Sequence, residues 1–276
     1  ILMPELPEIE TVKKTLTPLL QGKTITDCRL VRGEVIKHPL PDVFAERIIG
    51  RRVRDLGRRG KYLLLHMTDG SLLVAHLRMT GRLLCTAADY PQKPHTHVIL
   101  PLDDSRELRF ADTRRFGCLW LIEAGENDDF TGMAKLGIEP LSQQLTAEYL
   151  QSALGKRRIT IKQGILDQSV VAGLGNIYAD ETLFAAALCP YRSVQSLREQ
   201  DWQKLVEVIP LVLRSAIANN GTTFSDYVDG EGKEGRNLPF LQAYGRKGQA
   251  CGRCGQTMIR VMVGGRGSCY CPNCQK

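Results

Sequence analysis

Four cysteines near the end of the chain carry the most specific chemistry in the sequence. Cys251 and Cys254 are two residues apart, Cys271 and Cys274 likewise, and sixteen residues separate the pairs. That spacing lets two tight turns on adjacent hairpins present four thiolates tetrahedrally to one zinc ion. A hairpin of about forty residues has too little core to fold alone, and structural zinc contributes roughly 10–16 kcal/mol in small peptides. Four thiolates close the coordination shell, so the predicted zinc is structural and offers no open position for catalysis. Cys269, one residue from Cys271, is expected to point away from the metal.

A second candidate lies at the other end, in ILMPELPEIETVKK. Pro7 and Glu8 suit the first turn of a helix, where proline sacrifices no hydrogen bond and a carboxylate meets the positive end of the macrodipole. Pro4 and Glu5 fall just ahead of that helix, as a structural lead-in or as reactive groups. Two further features admit two readings each. Gly173-Leu174-Gly175-Asn176-Ile177 is either a phosphate-binding glycine turn at a helix N-terminus or a plain helix–turn–helix corner capped by Asn176. It lacks the third glycine of a dinucleotide loop and any Walker lysine, and it follows a helix and not a strand, which argues against a nucleotide cofactor. Met79 in HLRMTG and Phe116 in DTRRFG sit where β-hairpins could turn; each is a core residue or an exposed wedge for stacked bases.

The elements that must hold these groups follow from periodicity. Ile9, Val12, Leu16, Leu19 and Leu20 recur at helical spacing and end near Gly22. Short apolar runs then alternate with turn signals for about a hundred residues (TITDCRLV, KYLLLHM, SLLVAHLRM, HTHVILPL, ELRF, GCLWLIE), which predicts an antiparallel sandwich or flattened barrel with the first helix packed on it. The polar stretch 124–133 reads as a hinge. Helical patterns follow, the last broken by Pro210, and then a glycine-rich stretch, GTTFSDYVDGEGKEGRN, expected to be mobile.

The chain has 276 residues and a net charge of +7, from 37 Lys and Arg against 30 Asp and Glu. A polyanionic partner fits that balance. From Gly235 onward there are seven basic residues and no carboxylate, and 51–61 holds six basic residues and only Asp55. Either cluster is a solvated face or a nucleic-acid surface. The odd cysteine count, nine, argues against a disulfide framework, and Cys28, Cys85, Cys118 and Cys189 read as core thiols. No run approaches a membrane span and no signal peptide is apparent, so the expected location is the cytosol.

Taken together, MPELPE, GKYLL, HLRM, ADTRRFG, LDQSVVAGLGNIYADE, AYGRKG and the terminal CPNCQK resemble the bacterial formamidopyrimidine-DNA glycosylases over 3–276. The resemblance implies an α+β protein in three parts: an N-terminal helix and antiparallel β-sandwich (1–132), a helical domain with a helix-two-turn-helix and lesion-covering loop (133–237), and a zinc-ribbon hairpin (238–276). It implies a bifunctional DNA glycosylase and AP lyase that removes oxidised purines such as 8-oxoguanine and formamidopyrimidines. Its partner would be double-stranded DNA with an oxidised base or abasic site. Such an enzyme works as a monomer, in the bacterial cytoplasm, with one structural zinc. The family's nucleophile falls on Pro4, whose secondary amine would give a permanently charged iminium with the sugar C1′ and so drive β,δ-elimination. An α-amine ordinarily titrates at about 7.7–8.0, and a helix N-terminus and Lys61 would lower that. Glu5 takes the acid–base role.

By the same resemblance Met79, Arg114 and Phe116 fill the space left by the everted base, and Lys61, His95, Lys162, Asn176 and Arg266 grip phosphates. Five or six such contacts predict an affinity slope near −5, roughly, against log salt. Ile1 and Leu2 precede Met3, and while they remain Pro4 nitrogen is an amide; intact mass of an active preparation is expected to begin at Pro4. Two alternatives are an endonuclease VIII-type glycosylase for oxidised pyrimidines and a non-catalytic zinc-ribbon nucleic-acid binder. The former typically has glycine where this chain has Leu6 and lacks the Met/Arg/Phe set; the latter leaves Pro4 and Glu5 unexplained.

Overall fold

The structure, a computed structural model, describes residues 3–276; the expectation about Ile1 and Leu2 lies outside the described residues. The chain forms two compact units, 1–134 with 219–238, and 135–218 with 239–276.

The first unit opens on helix α1 (Leu6–Leu20). Its start is a reciprocal capping box: Glu5 accepts from the backbone of Glu8, and the Glu8 side chain accepts from the backbone N–H of Glu5. Pro7 sits in the first turn, as its missing donor allows. Ile9, Val12, Leu16 and Leu20 line the buried stripe, each contributing about 2 kcal/mol of apolar burial. They pack into one core with strands of two sheets.

One sheet orders β1 (Arg29–Leu30), β7 (Thr96–Pro101), β8 (Arg106–Asp112) and β6 (Gly81–Ala87), all antiparallel. The other orders β2 (Ile36–His38), β9 (Cys118–Ile122), β5 (Leu72–His76), β4 (Tyr62–Met67) and β3 (Val53–Arg59), with β2 alone running parallel to its neighbour β9. The sandwich is as expected, but the hairpins are not. The turns carrying Met79 and Phe116 join β5 to β6 and β8 to β9, so each crosses from one sheet to the other. Helix α2 (Pro41–Ile48) and strands β3 and β6 are not among the apolar runs; in β3, VRDLGRR, charged residues interrupt the apolar pattern.

The glycine-rich stretch is pinned to this first unit. Thr222 N–H donates to Glu8 at 2.8 Å, Gly230 N–H to Thr15 Oγ1 at 2.9 Å, and Cys85 N–H to Gly230 O at 2.9 Å. Tyr227 and Asp229 are buried. Polar groups hold a segment that has few aliphatic side chains to bury. The expected hinge is held likewise at its end, where Tyr62 OH donates to Thr131 O at 2.8 Å and Phe130 stacks on His38.

The second unit contains α3 (Ala147–Leu154), α4 (Ile161–Leu166), α5 (Asn176–Ala185) and α6 (Glu199–Ala218), then the hairpin β10 (Ile259–Val263) and β11 (Arg266–Tyr270). Helix α6 runs unbroken through Pro210, contrary to the sequence reading. An interior proline costs about 3 kcal/mol, and burial of Trp202, Leu205, Ile209 and Leu213 on either side offsets it. Among the described residues no helix is long and apolar enough to cross a membrane.

Candidate active site and metal centre

Pro4 and Glu5 are both buried immediately before α1, Glu5 to 2% exposure. Glu5 is the N-cap residue, so its carboxylate sits at the positive end of the helix. An ionised carboxylate has about four acceptor sites, so capping and proton transfer are compatible roles. Glu8 stays with the helix, as expected, and does one thing more by accepting Thr222 N–H.

Lys61 is buried in the turn between β3 and β4. Arg58, two residues before Gly60, donates to Glu10 at 3.0 Å and to Gly60 O at 2.9 Å, tying this turn to α1. Although burial opposes ionisation of Glu10, hydrogen bonds from Lys13 and Arg58 outweigh it and hold its pKa below the usual range. Much of the basic run 51–61 is thereby structural: Arg51 pairs with Asp69 and Glu123, and Arg54 with Asp55.

Strand register puts the other first-unit residues at one end of the sandwich. Tyr62 pairs with His76 and His76 with Cys118, while Gly81 pairs with Asp112. Lys61, the 78–80 turn and the 113–117 bend therefore share an end. Asp112 staples the two corners there. Its Oδ1 accepts from Thr80 Oγ1 and, at 3.1 Å, from Arg114 N–H; its Oδ2 accepts from Gly117 N–H at 2.7 Å. Asp112 N–H donates to the carbonyl of His95, whose φ is +64° and whose side chain is exposed. Met79, His95, Arg114 and Phe116 are thus arranged around one buried carboxylate. Phe116 is 50% exposed, and Arg114 lies over its ring at 4.9 Å. The sequence reading missed Asp112 and Thr80, although both stand inside the motifs it quoted, as short polar residues beside turns.

In the second unit the predicted residues meet at the tip of the β10–β11 hairpin. Gly264 and Gly265, with φ of +55° and +76°, form its two-residue turn, a conformation that glycine tolerates without a Cβ clash. Arg266 follows, exposed. Asn176 is the first residue of α5; Gly175, not Asn176, is the N-cap. Its Nδ2 donates to Gly267 O at 3.1 Å. Lys162 corrects the expectation of a phosphate-gripping cation. It is fully buried, with Nζ donating to Asp180 Oδ1 at 2.5 Å, Ser268 Oγ at 2.5 Å and Gly267 O at 3.2 Å. Asp180 Oδ2 also accepts Cys269 N–H at 2.9 Å, so one ion pair fastens the hairpin to α4 and α5. Glu181 accepts the backbone N–H groups of Gln242, Ala243 and Tyr244, each at 2.8 Å, and seats the segment leading into the ribbon.

The four predicted zinc ligands converge. Sγ atoms of Cys251, Cys254, Cys271 and Cys274 all lie within 4.8 Å of one another, with Cys251–Cys274 at 4.0 Å and Cys254–Cys271 at 3.5 Å. Tetrahedral Zn–S bonds of about 2.3 Å put sulfurs roughly 3.8 Å apart, whereas a disulfide needs about 2.05 Å. Backbone N–H groups of Arg253 and Cys274 point at Cys251 and Cys271 sulfurs at 3.4 Å, as thiolates require. These residues fit zinc. Burial pushes the thiols of Cys28 and Cys85 up to about 11; Cys85 is a core cysteine as expected, whereas Cys28 is only half-buried and packs against the core from its edge.

Comparison with known proteins agrees with this geometry. The formamidopyrimidine-DNA glycosylase N-terminal domain profile matches residues 3–119, the H2TH domain of the same proteins 136–228, and the zinc finger found in FPG and IleRS 248–276. The formamidopyrimidine-DNA glycosylase of Desulforamulus reducens is 49% identical over 275 residues, 99% of each chain. That of Moorella thermoacetica is 48% identical over 94% of each. Among solved structures, Lactococcus lactis FPG with abasic-site DNA aligns at TM-score 0.91 and 32% identity, covering 99% of both chains. MutM (FPG) from Thermus thermophilus aligns at 0.88 and 37%, covering 99% of this chain and 98% of that one. A capped sandwich, a helix-two-turn-helix unit and a four-thiolate ribbon define a base-excision-repair DNA glycosylase. The chain belongs to the formamidopyrimidine-DNA glycosylase family. It is accordingly an oxidised-purine glycosylase, with the AP lyase activity expected of that family and one structural zinc.

Proposed function

We propose that the enzyme excises oxidised purines from double-stranded DNA through a Schiff base on Pro4 and then nicks the strand. It works as a monomer on nucleoid DNA in the cytoplasm. The observation that carries this reading is the adjacency of Pro4 to the buried Glu5 carboxyl at the start of α1. Once Pro4 has a free imino nitrogen, its lone pair attacks C1′ and the damaged base departs with the electrons of the glycosidic bond. Glu5 gives a proton to the sugar ring oxygen as the C1′–O4′ bond opens. The N–H proton of the attacking amine goes to the departing base before the ring opens, so the iminium that results has no N–H proton left to lose and keeps its positive charge. That cation acidifies C2′, and the two phosphates leave in successive eliminations.

Met79, Arg114 and Phe116 form the wedge that enters the vacated stack, at a cost of a few kcal/mol of unstacking, with Arg114 toward the orphaned cytosine. Lys61, His95, Asn176 and Arg266 contact phosphates. In functional terms, the first unit supplies the nucleophile, the wedge and, through its 219–238 segment, the cover over the everted base; the second unit supplies the helix-two-turn-helix and the ribbon.

Borohydride trapping on 8-oxoguanine:cytosine duplex tests the reading. The wild type becomes covalently attached to the DNA and Pro4→Gly is sharply impaired. A fully processed wild type that releases base without ever being trapped overturns it. Preferential trapping on thymine-glycol duplex would favour the pyrimidine-directed alternative.

A further inference from the structure

Strands β6 and β7 flank β8 on either side and both run antiparallel to it, so they are parallel to each other and the chain between them has to cross β8. Ala87, at the end of β6, lies opposite Arg106, and Thr96, at the start of β7, lies opposite Ala111. Residues 88–95 therefore travel back along β8 for about 17 Å and across two strand spacings, roughly 20 Å in all before clearing the side chains beneath them. The same stretch of chain wound into a helix would reach only about 12 Å, so the crossover is extended. Every residue in it is exposed, and apolar packing does not hold it.

A buried arginine does. Along β8, Leu108 and Phe110 point into the core, while Glu107 and Arg109 point to the opposite face, beneath the crossover. Arg109 is 6% exposed. Its Nε donates to Glu107 Oε2 at 2.7 Å, its Nη1 to Tyr90 O at 2.8 Å and its Nη2 to Ala88 O at 3.2 Å. Glu107 also accepts from Arg29 on β1, so that carboxylate keeps a cationic partner even without Arg109. The crossover ends at His95, whose carbonyl accepts the Asp112 N–H at 2.9 Å. The crossover adds nothing to the core, so what the buried cation secures is the position of the group at its exit, the exposed His95.

We propose that Arg109 is a positioning residue for DNA binding, holding the 88–95 crossover in the path that presents His95 to a backbone phosphate. The proposal rests on the phosphate contact assigned to His95 above and deepens it. A planar guanidinium meets a carboxylate and two separate carbonyls at once; the donors of an ammonium radiate from a single atom and do not span them. Lysine at this position would keep the ion pair with Glu107 and lose the grip on the crossover.

The test is a double-mutant cycle on affinity for a duplex containing a tetrahydrofuran abasic analogue, at one fixed salt concentration. His95→Ala is expected to weaken binding about tenfold, the size of a lost hydrogen bond to a charged group. Arg109→Lys is expected to weaken it about fivefold in the wild-type background and less than about twofold in the His95→Ala background, because both changes remove the same contact. In an Asn176→Ala background, which removes a contact of the other unit, the loss from Arg109→Lys is retained in full. A merely destabilising change would weaken binding alike in all three backgrounds.

An Arg109→Lys loss that persists undiminished in the His95→Ala background overturns the proposal, as does wild-type affinity of Arg109→Lys. Arg109→Gln, which leaves Glu107 paired with Arg29, is expected to repeat the pattern and decides the matter if Arg109→Lys does not fold. Wild-type affinity of His95→Ala removes the phosphate contact and the proposal with it. Borohydride trapping by the wild type is scored separately, so failure of the glycosylase reading is distinguishable from failure of the positioning role.

Discussion

Glu8 Oε1 accepts the backbone N–H of Thr222, 214 positions away, at 2.8 Å while Oε2 accepts that of Glu5 at 2.9 Å, so one carboxylate joins the two segments. The start of α1 and the 219–238 segment are therefore fixed by the same side chain. Glu8 is 1% exposed, so neither N–H has water as a substitute. Glu8→Ala is expected to cost about 2–4 kcal/mol, from the lost cap and the unsatisfied donors. Glu8→Gln is expected to be milder but still destabilising, since its amide presents one acceptor where two are needed. Urea denaturation of the three proteins measures both.

Asp112 supports the second prediction. Asp112→Ala removes the acceptor of Gly117 and Arg114 N–H groups and of Thr80 at once. Stability should fall by about 3 kcal/mol. Discrimination between lesion and normal duplex should fall as Met79, Arg114 and Phe116 lose their common frame. Excision rates on matched and damaged duplexes check the second part.

His76 gives a pH dependence of defined sign. Burial, with the neighbouring charges of Arg78 and Lys61, depresses its pKa to about 3 from an ordinary 6.5. Its ring Nδ1 accepts Arg78 N–H at 3.1 Å, which requires that nitrogen to be unprotonated. The unfolded chain binds a proton below about 6.5 that the folded chain refuses until about pH 3. Stability is thus fully present above 6.5 and is lost as pH falls through this window, by about 1.4 kcal/mol per unit. His76→Gln should flatten that part of the stability–pH curve relative to the wild type.

Zinc removal is the fourth. Chelation, or Cys254→Ser, should release the metal and unfold the ribbon, whose own core is little more than Ala243, Met258 and the cysteines packed against Phe184 of α5. The basic hairpin that carries Arg266 then loses its setting, and affinity for abasic duplex should drop more than about tenfold, with a flatter salt slope if Arg266 contacts a phosphate as proposed. Fluorescence anisotropy alongside metal analysis checks it.

What could be read in the sequence was local. The proline and glutamates of α1 announce its cap because the interaction spans three residues, and the zinc set is legible because cysteine spacing is itself the geometry. What could not be read depends on distant partners. Lys162 as a letter looks like any other cation; its burial follows from Asp180 on another helix and Ser268 on the ribbon. The 219–238 segment looks mobile from its glycines, yet Glu8, Thr15 and the backbone of Cys85 hold it. Pro210 looks like a break because propensity ignores the burial on either side. Met79 and Phe116 were correctly assigned to turns, but no pattern in one strand tells whether the next strand joins the same sheet.

That crossing between sheets decides how the tip responds to load. A lone hairpin pushed against a column of bases would yield at its tip, because both of its legs bend together. Here each leg of either corner is rooted in a different layer of the sandwich, and force on Met79 or Phe116 is spread across both sheets. The wedge proposed for these two residues would therefore need no prior stiffening to enter a stack.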